Sequence, residues 1–236
     1  MIKNAYEFLR PLIIWLGLTE LAWISYWLLR NDSAGFGYTA TVVGWFVALL
    51  AWMAWVIHGG RRGLFLKHTR WLSNLVGAVT VVAFSAALFM IVPGAWEELA
   101  RTAALATTEE LASIHILRLL AVGTIIKYLQ RQLPLHFFIL GSLPDFLFAI
   151  SAIIVTFPSG DGFVSREFLI AWHCTGALVF MGAGISMFFS VPSPFFIYRS
   201  VPDASIAFRF PMLLAPNFTV PLFMLAHAFA LVKLLA

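Results

Sequence analysis

Three histidines carry the clearest chemical signal in this sequence, because each lies within a long apolar stretch. They are His115, His173 and His227, and they belong to three separate stretches. Ionisable residues are costly inside a bilayer and usually face a protein interior there. At 1.5 Å per helical residue, the three imidazoles lie roughly 5–15 Å below one membrane surface. The set could ligate a transition metal, or two members could be the axial ligands of haem b.

Arg118 is the expected charge partner of this site. It follows His115 by three residues, so both side chains occupy one face of a helix. Its guanidinium could bind a haem propionate, or it could pair with Asp145 or Glu20 on a neighbouring helix. Electron transfer or sensing is the function that a haem or metal site of this kind would serve.

Small residues follow His173 on its own helix face, at Gly176, Ala177 and Gly184. They leave space for a flat cofactor or for a closely packed helix. The alternative is purely structural, because membrane histidines also hydrogen-bond across ordinary helix contacts. The sequence leaves both interpretations open.

A second hypothesis uses the acidic residues as an ion or proton pathway. Glu20 and Asp145 lie near the middle of their apolar stretches. Pro144 precedes Asp145, and Asn217 is flanked by prolines, each of which frees a backbone carbonyl and permits a kink. This arrangement is typical of small transporters and channels. A third possibility is a non-catalytic assembly subunit that binds another membrane protein.

The composition predicts the elements that must position these residues. Hydrophobic residues make up 61% of the 236 positions and charged residues 11%, against about 25% charged in soluble domains. The sequence therefore predicts one all-α, multi-pass membrane domain over residues 1–236, with spans of about 20 residues each. We predict seven spans, near 8–29, 36–58, 74–95, 110–129, 136–157, 167–190 and 211–235.

The placement of basic residues predicts the orientation. Ten of the fifteen Lys and Arg residues fall on one side of these spans: Lys3, Arg10, Arg61, Arg62, Lys67, Arg70, Lys127, Arg131, Arg199 and Arg209. By the positive-inside rule the N-terminus is cytoplasmic and the C-terminus outside, in a bacterial inner membrane. The basic residues at positions 61–70 are expected to bind anionic lipid headgroups rather than nucleic acid.

Helix boundaries and catalytic motifs complete the prediction. Thr107 and Glu110 have the spacing of a capping box at the start of the fourth span. Pro93 and Gly94 break the third span early. Most of the tryptophans lie toward span ends, where interfacial positions are expected. The sequence has no HExxH, GxSxG or di-iron histidine motif, which argues against a hydrolase or oxygenase of those classes.

Overall fold

A computed structural model describes residues 2–66, 70–157, 164–191 and 195–235. All regular secondary structure in these ranges is helical, which confirms the predicted fold class. The expected headgroup cluster is only partly described, since Lys67 and His68 lie outside these ranges.

Eight principal helices lie within these described ranges, and we number them in chain order. They are α1 Ile2–Leu29, α2 Phe36–Arg61, α3 Arg70–Ile91, α4 Ala95–Leu105, α5 Thr108–Leu129, α6 Leu135–Thr156, α7 Arg166–Phe188 and α8 Ala215–Leu235. Short 3₁₀ turns at Leu64–Leu66 and Ala204–Phe208 lie in the connections. The first helix begins six residues earlier than predicted and the last begins four residues later.

Among the described residues, six helices are long and apolar enough to cross a bilayer. A seventh span exists if the bent pair formed by α3 and α4 counts as one, with a bend of 109°. The bend falls at Gly94, whose φ of 76° is in the left-handed region. A Cβ there would meet nothing within 4 Å, so conformation rather than space requires glycine. The chain is an integral membrane protein.

The start of α5 is fixed by the predicted capping box, which the structure confirms. The Thr107 hydroxyl accepts from the backbone N–H of Glu110, and the Glu110 carboxylate accepts from the backbone N–H of Thr107. The same carboxylate binds Arg30 at the end of α1, with 2.6 Å between Nη1 and Oε2. This contact connects the ends of α1 and α5.

The middle of α5 is a 3₁₀ segment over Ile114–Ala121. With three residues per turn, side chains three positions apart align along one face. His115 and Arg118 are such a pair, and both are almost fully buried. The change in helix type therefore directs both side chains to the same side of α5.

Two π-helical turns precede proline-containing segments of α6 and α8, over Phe138–Ser142 and Ala215–Thr219. Pro144 and Pro221 follow directly, as the second residues of the α-helical parts. Proline cannot donate to the carbonyl four residues earlier, and a π turn accommodates that loss. The predicted kinks are therefore local changes of helix type.

Small residues bring α6 and α7 close together. A Cβ on Gly182 would lie 2.5 Å from the carbonyl oxygen of Leu140, and one on Gly141 would lie 3.0 Å from Cβ of Ala183. Side chains at the two glycines would push the backbones apart. This contact fixes the position of α6, which carries Asp145, relative to α7, which carries His173.

The centre of the bundle is α8. Within its apolar stretch 56% of residues are buried, against 28–39% for the other five candidate spans. Trp27 and Trp45 are also buried in the core, so the interfacial position expected for tryptophans is wrong for these two. Trp27 stacks on Phe229 of α8 with 6.0 Å between ring centroids.

Candidate functional site

Three buried imidazoles from α5, α7 and α8 meet inside the bundle. One ring nitrogen from each of His115, His173 and His227 lies within 4.8 Å of the other two. The three residues are at most 1% exposed. Residues separated by 112 positions in the sequence thus form one cluster.

Arg118 connects this cluster to Asp145. Its Nε donates to Oδ1 of Asp145 over 2.6 Å, and its Nη1 lies 3.1 Å from Nε2 of His227. Nη1 also donates to the carbonyl oxygen of Gly176, at 3.3 Å. The Arg118 side chain is completely buried, whereas that of Asp145 is 22% exposed. Of the partners considered for the arginine, Asp145 makes the direct ion pair.

The hydrogen bonds assign protons to the neutral imidazoles. Arginine has only donors, so Nε2 of His227 must accept. A neutral His227 then carries its proton on Nδ1, which donates to Nδ1 of His173 over 3.0 Å. His173 in turn carries its proton on Nε2. The direction of donation therefore runs from Arg118 through His227 to His173.

Several nitrogens of this cluster have no hydrogen-bond partner among the described residues. They are Nδ1 and Nε2 of His115, Nε2 of His173 and Nη2 of Arg118. Leaving a buried donor or acceptor unpaired costs roughly 1–3 kcal/mol. A cluster with four such atoms is poorly explained as structural hydrogen bonding alone, because its own members do not satisfy one another.

Aromatic rings enclose the histidines on the remaining sides. The His115 ring stacks on that of His227, with 3.9 Å between centroids and 13° between planes. Phe148, Trp172 and Phe223 each place a ring within 6 Å of the His115 ring. The cluster is therefore excluded from the surrounding lipid by apolar surfaces.

Gly176 makes room for His227. A Cβ at this position would lie 2.3 Å from Cζ of Phe148 and 2.6 Å from Nε2 of His227. The space expected beside His173 is thus filled by protein side chains rather than left for a flat cofactor. By contrast, a Cβ on Gly184 would meet nothing within 4 Å.

The two remaining candidates from the sequence lie apart from the imidazoles. Glu20 is fully buried, neither carboxylate oxygen has a partner among the described residues, and it interacts electrostatically with Asp145 and Arg118. The Asn217 amide donates to the carbonyl of Leu213, and a Cβ on Gly77 would clash with its Oδ1. Asn217 therefore packs toward α3.

Two phenylalanines of the site were not anticipated from the sequence. The guanidinium carbon of Arg118 lies 4.2 Å from the ring centroid of Phe148 and 4.0 Å from that of Phe180. Such cation–π contacts stabilise a desolvated guanidinium. The helical spacing could have indicated them, because residues three or seven positions apart lie on the same face of a helix. Phe148 follows Asp145 by three residues and Phe180 follows His173 by seven.

One family model matches residues 75–235, and its description is Domain of unknown function (DUF8737). The chain belongs to this family. The matched part of the DUF8737 protein contains all three histidines, Arg118 and Asp145, whereas Glu20 precedes it. No curated protein and no solved structure matches the chain.

Proposed function

We propose that this protein binds one divalent transition-metal ion, with Zn²⁺ the first candidate, through His115, His173 and His227. The observation that carries the proposal is the convergence of three buried imidazole nitrogens within 4.8 Å from three helices. Imidazole suits zinc, copper, iron and nickel. An ion would also give a partner to one nitrogen of His115, which has none among the described residues.

The number of ligands points to a reactive site rather than a structural one. Structural zinc sites have four protein ligands, whereas catalytic sites have three and keep a position for water or substrate. Among the described residues the cluster supplies three. The proposed metal would therefore act on a bound molecule or report its presence, with the Arg118–Asp145 pair next to it.

A single ion suits these distances better than haem does. Two axial imidazole ligands would have to lie on opposite faces of a porphyrin, with the ring between them. Here His173 and His227 are hydrogen-bonded at 3.0 Å, and His115 stacks directly on His227. No porphyrin plane fits between these rings as they are arranged, so the metal is the stronger form of the hypothesis.

Metal binding requires a small rearrangement. Nitrogens about 2.0–2.1 Å from zinc at the tetrahedral angle lie roughly 3.3–3.4 Å apart. If Nδ1 of His173 and Nδ1 of His227 both bind the ion, the distance between them must increase from 3.0 Å. Any two ligand nitrogens near the 4.8 Å limit must come closer together. If Nδ1 of His227 binds the ion, its Nε2 carries the proton and no longer accepts from Arg118. The metal and the Arg118–His227 hydrogen bond would then exclude each other.

A second candidate function is a proton pathway, and Glu20 is the observation that favours it. Proton relays use buried carboxyl groups such as Glu20, whose oxygens have no partner among the described residues and which interacts electrostatically with Asp145 and Arg118. The hydrogen-bonded imidazoles of His227 and His173 could also exchange protons, whereas Arg118 cannot be deprotonated and would act only as a fixed positive charge. This function predicts flux that Glu20→Gln abolishes in a metal-free protein.

We also propose the type of membrane and the orientation of the chain in it. The basic residues listed above support a cytoplasmic N-terminus and an inner-membrane location. Contact of the basic residues at positions 61–70 with anionic lipid, and association with another membrane protein, are further expectations that follow from the sequence.

The deciding experiment is metal analysis of the detergent-purified protein. The protein is stripped with EDTA, titrated with Zn²⁺ by calorimetry, and assayed for metal content by elemental analysis. We expect about one ion per chain and an at least tenfold weaker affinity in His173→Ala and His227→Ala. His136→Ala is the matched control, because His136 contacts Ser190 and Tyr198 away from the cluster.

Three results would reject the metal proposal. They are failure of the folded wild type to bind Zn²⁺, Co²⁺, Cu²⁺ or Fe²⁺, equal loss of affinity in His136→Ala, and a Soret band in the visible spectrum. A colourless, metal-free protein with Glu20-dependent proton flux would support the second candidate instead.

A further inference from the structure

A cavity of about 140 Å³ lies next to Arg118, and the described residues that line it do not include the three histidines. It is partly open and is lined by residues of α1, α5, α6, α7 and α8 and of the turn before α8. Leu16 of α1, Ala121 of α5 and Val220 of α8 are typical of its walls, which are mostly apolar. Its volume is close to the roughly 150 Å³ of an apolar cavity that holds a benzene-sized group.

The polar lining of this cavity is confined to a few side chains. Arg118 and Asp145 border it at one level, and Lys127 borders it two helical turns or more further along α5. The amine of Lys127 donates to the side-chain oxygen of Gln132, at 2.7 Å. Between these levels the described lining residues are apolar apart from the hydroxyls of Thr124 and Thr219. The cavity therefore suits a ligand with an apolar chain and one polar end.

The guanidinium of Arg118 offers a donor for that polar end. Three of its contacts use Nε and Nη1, which donate to Asp145 and Gly176 and contact His227. Its Nη2 has no hydrogen-bond partner among the described residues, although the side chain is fully buried. Because arginine cannot lose this donor by deprotonation, an acceptor oxygen from a ligand would satisfy it. Nη2 is inaccessible in the structure, so the oxygen reaches it only when the cavity wall next to Arg118 shifts.

We propose that this cavity binds the first carbons of a lipid acyl chain, with a carboxylate or ester carbonyl oxygen accepting a hydrogen bond from Nη2 of Arg118. The rest of the chain leaves through the open side of the cavity. The surrounding bilayer supplies acyl chains at high concentration. Because Asp145 already neutralises Arg118, an uncharged ester oxygen and a carboxylate are both acceptable. The proposal goes beyond metal binding, since it requires only the cavity and the guanidinium.

The position of Arg118 links the two sites physically. One side of its guanidinium contacts His227, and the residue also borders the cavity. Phe223 likewise borders the cavity while its ring lies 5.8 Å from that of His115. A lipid oxygen on Arg118 would therefore lie next to the histidine cluster but not among the imidazoles.

Photocrosslinking of the detergent-purified full chain tests this proposal. The probes are a diazirine-bearing palmitic acid, its methyl ester, a phosphatidylcholine with the same chain, and an alkane with the same diazirine. We expect the acyl probes to label peptides of α1, α5 and α8, with excess oleate reducing labelling at least fivefold. The acid, ester and phospholipid arms distinguish a free fatty acid from a membrane lipid as the source.

Two variants localise the effect. Ala121→Phe fills the cavity and should lower labelling at least fivefold, whereas Ala51→Phe adds the same ring on the exposed face of α2 and should leave it unchanged. Arg118→Gln should reduce the acyl probes to the level of the alkane. Size-exclusion profiles and thermal midpoints establish that each variant is folded.

Specific outcomes overturn the proposal even if a variant is unstable. Wild-type labelling spread evenly over exposed helix faces, or insensitive to oleate, rules out the cavity. Labelling by the alkane equal to that by the acyl probes rules out Arg118 as the polar contact. His173→Ala should label normally, so lipid binding and metal binding fail independently; labelling lost in that variant would contradict a separate lipid site.

Discussion

Two buried polar regions of this bundle differ in how completely their hydrogen bonds are formed. Between α2 and α3, the Trp45 indole donates to the Ser85 hydroxyl over 2.8 Å, and that hydroxyl donates to the carbonyl of Val81. Every donor of this small network has an acceptor. Around His115, by contrast, both ring nitrogens lack partners among the described residues. The hydrogen bonds of the first region are all made within the protein, whereas the second region can still bind a ligand or an ion.

This difference separates structural polar contacts from a candidate site within one molecule. Both regions are almost fully buried, so burial alone would not distinguish them. Their residue types would not distinguish them either, because hydroxyl, indole and imidazole groups all form helix contacts in membranes. The two regions are distinguished by the His115 nitrogens that have no hydrogen-bond partner among the described residues. They therefore define which substitutions should affect stability and which should affect ligand binding.

The largest expected effect comes from removing a charge of the site. Arg118→Ala leaves Asp145 without its partner and removes the contacts with Phe148 and Phe180, so we expect a loss of about 3–5 kcal/mol in unfolding free energy. Ser85→Ala leaves only the Trp45 indole unpaired and should cost roughly 1–3 kcal/mol. Denaturation of both variants in mixed micelles measures the two values. Equal losses would mean that the two regions do not differ energetically.

A pair of glycines on α7 tests the packing around the imidazoles. Gly176→Ala introduces a methyl group within 2.3–2.6 Å of Phe148 and His227, so it should displace the rings and cost about 1–3 kcal/mol of stability. Zn²⁺ affinity should fall with it. The matched Gly184→Ala meets nothing within 4 Å and should gain up to about 1 kcal/mol from helix propensity. Thermal melting with calorimetric titration checks both variants. Similar behaviour of the two would show that close packing at Gly176 is unimportant.

The smallest effect on stability, but a decisive one, is expected for His115→Phe. In chelator this variant should be as stable as the wild type or about 1 kcal/mol more stable, because it removes two unpaired nitrogens and retains a ring. Added Zn²⁺ should raise the melting temperature of the wild type and leave the variant unchanged. A variant that loses several kcal/mol without metal would instead assign His115 a structural role.

The sequence contained the local features of this fold. The capping box at Thr107 and the break at Pro93 depend on neighbouring residues, so they could be predicted directly. Depth along each span could also be counted, which placed three imidazoles at one level. Which helices are neighbours could not be predicted, because all apolar faces are equivalent to lipid.

Other features depended on contacts between distant residues. The burial of Trp45 follows from Ser85 on α3, forty positions away, and no local pattern indicates that pair. The π turns before Pro144 and Pro221 appeared in the sequence only as prolines. The unpaired nitrogens of His115 are a property of the assembled bundle, and these nitrogens carry the functional proposal.

The enclosure of Arg118 by Phe148 and Phe180 has a consequence for conformational entropy. An arginine side chain free to move has about 2 kcal/mol of rotamer entropy, which a flexible residue loses when it orders around a ligand. Here two rings, an aspartate and a carbonyl oxygen already hold the guanidinium in place. That loss occurs when the chain folds, so a ligand on Nη2 meets a donor that is already ordered.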